Sequence, residues 1–417
     1  MRSRVSVTNS LAGRVVFLGV ILLAAWLGTA SGEDLEWIDT MRAAQKALNE
    51  SRYADAEQFL RTAVHEAEKF PPGDRRFDLS FNGLAKVLYS QGKYDEAERS
   101  YLQAVAVLEK KLGPGHLRVA QSLNGLALIY QMQGKYKEAE PLFGRSLTIS
   151  EKVLGPEHPD VADSLNNLGS VYNSQSRFTE AESAYLRALA ILEKVYGPHH
   201  VNVASTLNNL GVVYNSEGKP VEAEQLLQRA LRIREAALGS KHADVAASLD
   251  NLGAVYNVQG KPVEAERLLK RALAIQEGIR GPAHPEVAIT LGLLGASYEA
   301  QGRLNEATGV IERGLAIWER FLGPNDIRVA ATLSRLARIY GAEGKYGAAE
   351  SLLKRSLVLQ ESRGSNSPEL LMDLESYATL LRKMDRGLEA IDIEARAEAI
   401  RAEHPTASVP KRAAGPQ

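Results

Sequence analysis

The 417-residue sequence predicts an all-α protein, a superhelical solenoid of about nine helical hairpins. Three observations predict it. Segments recur at a fixed spacing of 42 residues, apolar residues inside each segment recur with a period near 3.6 and never alternate, and glycine punctuates each segment at two places. Two punctuation points per period mean two helices per repeat.

In chain order, residues 1–32 come first. They open with Arg2, Arg4 and Arg14, continue through the 13-residue apolar run Val15–Leu27, and end in Gly28, Thr29, Ala30, Ser31 and Gly32. That is the order of a secretory signal peptide. The run is shorter than the roughly 20 residues a helix needs to span a bilayer, so cleavage after Ala30 or Gly32 is expected, with a mature chain starting near Glu33. An uncleaved signal anchor is the alternative, and its positive flank also leaves the rest of the chain outside the cytoplasm. The expected location is periplasmic or secreted, with membrane attachment only through such an anchor.

The repeats occupy residues 33–402. Gly113, Gly155, Gly197, Gly239, Gly281 and Gly323 are 42 residues apart and open the links GPGHLRVA, GPEHPDVA, GPHHVNVA, GSKHADVA, GPAHPEVA and GPNDIRVA. Gly92, Gly134, Ser176, Gly218, Gly260, Gly302 and Gly344 mark the second point, each followed by Lys or Arg. Leu165, Leu168, Val171 and Tyr172 line one face of a helix A, and Ala181, Ala184, Tyr185, Ala188, Leu189 and Leu192 line one face of the following helix B. Glycine at the second point supplies the left-handed residue that ends helix A, and Gly-Pro ends helix B. Hairpins are expected near residues 36–70, 78–112, 120–154, 162–196, 204–238, 246–280, 288–322, 330–364 and 370–402. The first and last are degenerate, as befits repeats that meet water on one side: FPPGD replaces Gly-Pro in the first, and the ninth is one residue short after RGSNSPEL. The tail 403–417 has no period and is expected to be disordered.

The spacing carried by Leu165, Leu168, Gly169, Tyr172, Ala181 and Tyr185 resembles the tetratricopeptide repeat (TPR), and the 42-residue period resembles the variant of kinesin light chains and of many bacterial repeat proteins. Gly169 and Ala181 then sit where helices A and B approach closely, with Tyr185 plugging the gap. The resemblance covers roughly residues 36–402 and speaks to fold rather than to function. It implies that helix A lines a concave groove and helix B the convex face.

Composition narrows the chemistry. Apolar residues make up 45% and charged residues 24%, so a core can form. Lys plus Arg number 50 against 51 Asp plus Glu, leaving no excess for nucleic acid. The absence of cysteine removes disulfides, thiolate metal sites and cysteine nucleophiles together. His116, His158, His200, His242 and His284 recur in the links, but zinc ligands must converge at about 2.0–2.1 Å on one ion, whereas equivalent residues of neighbouring repeats stand roughly 10 Å apart. Asp326 replaces the histidine in the sixth link, which points to capping of the next helix A. No HExxH, GxSxG or GxxxxGK[ST] motif occurs. The expectation is no enzyme, no metal, no cofactor and no small-molecule substrate.

What remains is a binding surface for a protein or peptide. Along helix A the positions three and two before the Gly169 site, and four after it, read Asn166, Asn167, Asn173, then Asn208, Asn209, Asn215, then Asp250, Asn251, Asn257. Earlier repeats keep Asn82 and Asn124, and the seventh has Gly292, Leu293 and Glu299. Asn and Asp each cost up to about 0.7 kcal/mol relative to Ala in a helix, so something offsets them. One candidate is a ladder of amides bonded between neighbouring helices. The other is a ligand, since a carboxamide offers the donor and acceptor that a peptide backbone needs. Arg335 and Arg338 add charge on the eighth helix A, either to receive a carboxylate or as a solvated pair. The leading expectation is an extracytoplasmic scaffold that holds a peptide or partner protein in the groove. The alternative is an assembly component using the convex face or the array ends.

Overall fold

The computed structural model describes residues 32–50, 52–71, 74–362 and 368–403. The expected signal segment, save Gly32, and the tail beyond Glu403 lie outside them. Among the described residues there are helices and no strand, and the helices come in pairs: α1 (Gly32–Asn49) with α2 (Tyr53–Ala67), α3 (Arg75–Ser90) with α4 (Tyr94–Leu112), α5 (Leu117–Met132) with α6 (Tyr136–Leu154), α7 (Pro159–Ser174) with α8 (Phe178–Tyr196), and α9 (Val201–Ser216) with α10 (Pro220–Leu238). There follow α11 (Ala243–Val258) with α12 (Pro262–Arg280), α13 (Pro285–Ala300) with α14 (Leu304–Leu322), α15 (Ile327–Ala342) with α16 (Tyr346–Glu361), and α17 (Pro368–Lys383) with α18 (Gly387–Glu403). Odd helices are the A helices and even helices the B helices. The chain divides into two compact units, Met1–Ala237 and Leu238–Gln417.

In the first unit each hairpin packs on the next, and the A helices α3, α5, α7 and α9 touch in succession. Trp37, Met41, Leu60, Leu84 and Leu88 form the core at its start, and Val161, Leu165, Leu192, Val203, Leu207 and Ile233 a core further on. In the second unit α11 touches α13 and α15 touches α17. Its cores gather Val287, Leu291, Ile317, Val329 and Leu333, then Leu353, Leu371, Leu374 and Leu381.

The close crossing expected at Gly169 is present. A Cβ built on Gly169 would stand 3.0 Å from the Tyr185 ring, which is 1% exposed, and Ala181 beside it is fully buried. From the fifth hairpin on, the tyrosine gives way to an aliphatic side chain and the approach tightens, with a Cβ on Gly211 only 2.8 Å from Leu227 Cγ in the first unit, one on Gly253 2.7 Å from Leu269 Cγ and one on Gly295 2.5 Å from Ile311 Cδ1 in the second.

The turn between helices A and B is equally regular. Gly134 has φ +76°, its N–H donates to Gln131 O at 3.0 Å, and the N–H of Lys135 donates to Tyr130 O at 2.8 Å, the paired bonds of a Schellman ending. Ser176 makes the same turn at φ 62° and Asp385 at φ 59°, strained conformations for side chains with a Cβ. The cation after the turn then joins three elements. Arg177 lies 4.3 Å from the Tyr172 ring centroid and 2.8 Å from Glu140 of the preceding helix B, and Arg303 lies 4.5 Å from Tyr298 and 2.6 Å from Glu266. Burial opposes ionisation of Glu266, but hydrogen bonds from Lys270, Gln301 and Arg303 outweigh it and hold its carboxyl down at about 2.

The ninth hairpin, the last among the described residues, carries a charge where the others carry an apolar side chain. Glu394 of α18 occupies the place that the buried Leu353 holds one repeat earlier, and it accepts from Arg382 at 2.8 and 2.6 Å.

The crossing gives a paired prediction. Gly253→Ala gains up to about 1 kcal/mol of helix propensity but drives its Cβ into Leu269, and overpacking costs of about 1–3 kcal/mol are expected to lower the melting temperature. Gly309→Ala, where a Cβ meets nothing within 4 Å, is expected to raise it. Thermal melts followed by circular dichroism distinguish the two, and equal shifts would contradict the crossing.

Candidate partner-binding face

The recurrent histidines are placed by the links. In each, the ring Nδ1 accepts the backbone N–H two residues on: Arg118 to His116 at 3.2 Å, Asp160 to His158 at 3.1 Å, Asn202 to His200 at 3.2 Å, Asp244 to His242 at 3.1 Å and Glu286 to His284 at 3.2 Å. Asp326 does the same for Arg328 at 2.9 Å, as does Asp74 for Arg76 at 2.9 Å. These are N-caps, satisfying a donor that the first helical turn leaves open. The cap requires an unprotonated Nδ1. At His284, burial and then the Arg280 charge push the imidazole pKa down, against the pull of Glu286. No group of three or more His, Asp or Glu among the described residues is placed to hold a metal ion.

The asparagine rows fare differently in the two units. In the first, Asn167 Nδ2 donates to Asn124 Oδ1 at 3.0 Å, Ser122 Oγ to Asn82 Oδ1 at 3.2 Å, and Gln131 Nε2 to Ser170 Oγ at 2.7 Å, so neighbouring A helices are tied by side-chain hydrogen bonds. Asn208 is buried. Asn166 and Asn215 are half-buried residues whose Oδ1 atoms are buried and have no hydrogen-bond partner among the described residues. Asn173 and Asn209 are half-buried. Two ionisable residues that the pattern did not single out flank these amides: Lys86 follows Asn82 by one turn, and Asp163 precedes Asn166 and Asn167 by one turn.

In the second unit the corresponding groups are largely committed to one another. Asn257 donates to Leu293 O at 3.1 Å and accepts from Ser297 at 2.9 Å. Arg335 is buried, with its guanidinium held by Glu299 and by Gly292 O at 2.9 Å, so its charge is neutralised inside the unit instead of being solvated. Half-buried Arg338 lies near Asp373, whose carboxyl burial pushes up, and Asp373 accepts from Ser334 at 2.6 Å and Ser356 at 2.7 Å. Asn251 is buried beside Asp250.

Asp250 sits at the junction of α11, α12 and α13. Thr290 Oγ1 is 2.9 Å from both carboxylate oxygens and 2.7 Å from Gln276 Oε1, and Gln276 Nε2 donates to Asp250 Oδ2 at 2.8 Å. Thr290 has one proton for these acceptors. All are satisfied at once when the carboxyl is protonated: Asp250 donates to Thr290, Thr290 to Gln276, and Gln276 back to Asp250. Burial accordingly pushes the Asp250 carboxyl up to about 7; the bonds from Thr290 and Gln276 oppose this and the Glu286 charge adds to it. None of Gln276, Thr290 or Ser334 was legible as a partner from spacing alone.

A raised folded pKa means that Asp250 supports stability fully below the pKa of a free carboxyl, near 4, and progressively less as pH rises toward about 7. Asp250→Asn keeps the ring of hydrogen bonds without an ionisable group. It is expected to match wild type near pH 4 and exceed it at pH 8 by a few kcal/mol at most, at about 1.4 kcal/mol per pKa unit. Melting temperatures of both proteins across pH 4–8 test this, and parallel curves would show that Asp250 is ionised throughout.

The tetratricopeptide repeat profile matches residues 78–152, 119–194, 160–236, 203–278, 244–317 and 286–362. No curated relative matches the chain. Among solved structures, a putative kinesin light chain from Podosopora anserina with nearly identical TPR-like repeats is 29% identical over 49% of this chain and 97% of its own, with a TM-score of 0.42. The apo quorum sensor NprR from B. thuringiensis is 15% identical over 88% of this chain and 97% of its own, TM-score 0.61. A Rap protein complexed with Competence and Sporulation Factor is 16% identical over 89% and 99%, TM-score 0.60. With its 42-residue period, paired helices and profile matches running from residue 78 to 362, the chain belongs to the tetratricopeptide repeat family.

Proposed function

We propose that this protein is an extracytoplasmic binding scaffold that holds a peptide or an extended segment of a partner protein against the A-helix face of its first unit. One observation carries the reading. Asn166 and Asn215 present amide oxygens that are buried from water and unsatisfied within the chain, and a buried acceptor without a donor costs about 1–3 kcal/mol. A peptide N–H supplies that donor. The solved Rap complex supports the reading to the extent that an array of this fold holds another molecule. The export signal read in residues 1–32 supports a site of action outside the cytoplasm.

A second reading has its own observation. Val153 and Val195 in the first unit, and Ile279 and Phe321 in the second, occupy one repeat position on the B helices and are 50%, 46%, 52% and 62% exposed. An assembly contact through helix B would use them.

Peptides selected from a displayed random library on the full chain separate the two. Asn166→Ala with Asn215→Ala is expected to weaken the selected peptide about five- to thirtyfold, the loss of one or two hydrogen bonds at about 1 kcal/mol each, while leaving the melting temperature unchanged or higher. Asn167→Ala is expected to lower it, because Asn124 loses its partner. Binding that survives the asparagine variants but is lost in Val153→Ser with Val195→Ser favours the helix B reading. Mass spectrometry of protein recovered from the producing cells is expected to find the N-terminus near Glu33 in the exported fraction; an intact Met1 in the cytoplasm would refute export.

A further inference from the structure

Two charges on the A-helix face of the first unit stand outside the ion pairs of the described residues. Lys86 lies four residues after Asn82 on α3, and Asn82 accepts from Ser122 of α5; Asp163 lies four before Asn167 on α7, and Asn167 donates to Asn124 of α5. Spacings of four keep each charge on the helix face that carries the hydrogen bonds between A helices. Both residues are solvent-exposed. Between them, α5 offers the neutral Gln121, Asn124, Leu128 and Gln131, and its cation Arg118 is engaged by Asp78.

The neighbouring helices nonetheless thin the water around both groups. Burial pushes the Lys86 ammonium pKa down. Burial pushes the Asp163 carboxyl up to about 6, with Asp160 adding to the rise and His158 opposing it. A charge held at such a cost is relieved by an opposite charge arriving with a ligand.

We propose that the A-helix face of the first unit selects a bipolar peptide, an extended segment that lays an anionic group over Lys86 and a cationic group over Asp163. The proposal rests on the reading of this face as the peptide groove and adds the chemistry of the ligand. From α3 to α7 there are two helix steps, roughly 20 Å at about 10 Å each. An extended chain covers that with about six residues at some 3.3–3.6 Å each. The acid and the base of the ligand therefore stand about six residues apart, in fixed order.

The test is selection of random dodecapeptides displayed on phage against the immobilised full chain. Enriched sequences are expected to carry an acid and a base at that separation. Lys86→Glu and Asp163→Lys are each expected to weaken the selected peptide at least tenfold, and the protein carrying both changes is expected to recover binding to the peptide with its two charges exchanged. Lys86→Gln and Asp163→Asn, which keep side-chain size, are expected to weaken binding in the same direction with unaltered helical melts, separating charge from misfolding. Enriched peptides without the charge pair, or a selected peptide unmoved by both reversals, overturn the bipolar assignment; if that peptide still loses binding in Asn166→Ala with Asn215→Ala, the groove reading survives without it. Failure to enrich any peptide overturns both.

Discussion

Where Gly169 lies under Tyr185, Gly253 under Leu269 and Gly295 under Ile311, the two helices of a hairpin come closer than a Cβ on helix A would permit. Close packing leaves the pair little freedom to slide or rotate. With the crossing set, the end of helix A has to reverse within a few residues, which calls for a left-handed residue and the two hydrogen bonds that satisfy the last carbonyls. The cation after the turn then reaches both the tyrosine of its own hairpin and the glutamate of the one before, as Arg177 does with Tyr172 and Glu140. An exposed ion pair alone contributes about 0–1 kcal/mol. Its value here lies in recurrence, because the same three-way contact orients successive hairpins.

The two units put one sequence theme to different uses. At the Asn166 position the second unit places an aspartate, Asp250, which its own helix B answers with Gln276 and the next repeat with Thr290, so these three polar groups saturate one another in the interior. In the first unit the amides are partly bonded across helices and partly left with open acceptors at Asn166 and Asn215. A buried polar network that closes on itself specifies packing, whereas one left incomplete carries the cost of its open acceptors.

Most of the fold was legible because repetition multiplies weak signals. A single glycine is an ambiguous helix stop, but six at one spacing, with Ser176 in register, identify the turn; a single histidine is an ambiguous ligand, but five at the link and an aspartate in the sixth identify a cap. The candidate face was legible only in outline. Helical period tells which side of α7 or α11 an asparagine occupies, but not how near the next repeat stands, so Asn167 and Asn251 read alike although one is half-buried and the other 4% exposed. Arg335 was unreadable for the same reason: its partners, Glu299 and the Gly292 carbonyl, belong to another repeat and leave no trace at fixed spacing. Lys86 and Asp163 were passed over because each occurs once, and periodicity is blind to what does not recur.

The ninth hairpin is one residue short, yet its turn is intact: Asp385 takes the left-handed conformation, the Arg386 N–H reaches Leu381 O at 2.9 Å, and the Arg386 guanidinium meets Glu350 at 2.7 Å. Counted along the sequence, the missing residue falls between the turn at Gly344 and Pro368, while the turn contacts at Asp385 and Arg386 are kept. Register at the turn is thus kept although the link before it gives up one residue. Chain length differs at this one joint while the other links keep the 42-residue period, so a protease-accessible tag or a grafted domain belongs between α16 and α17. Within a hairpin even one added residue would turn every side chain beyond it by about 100°.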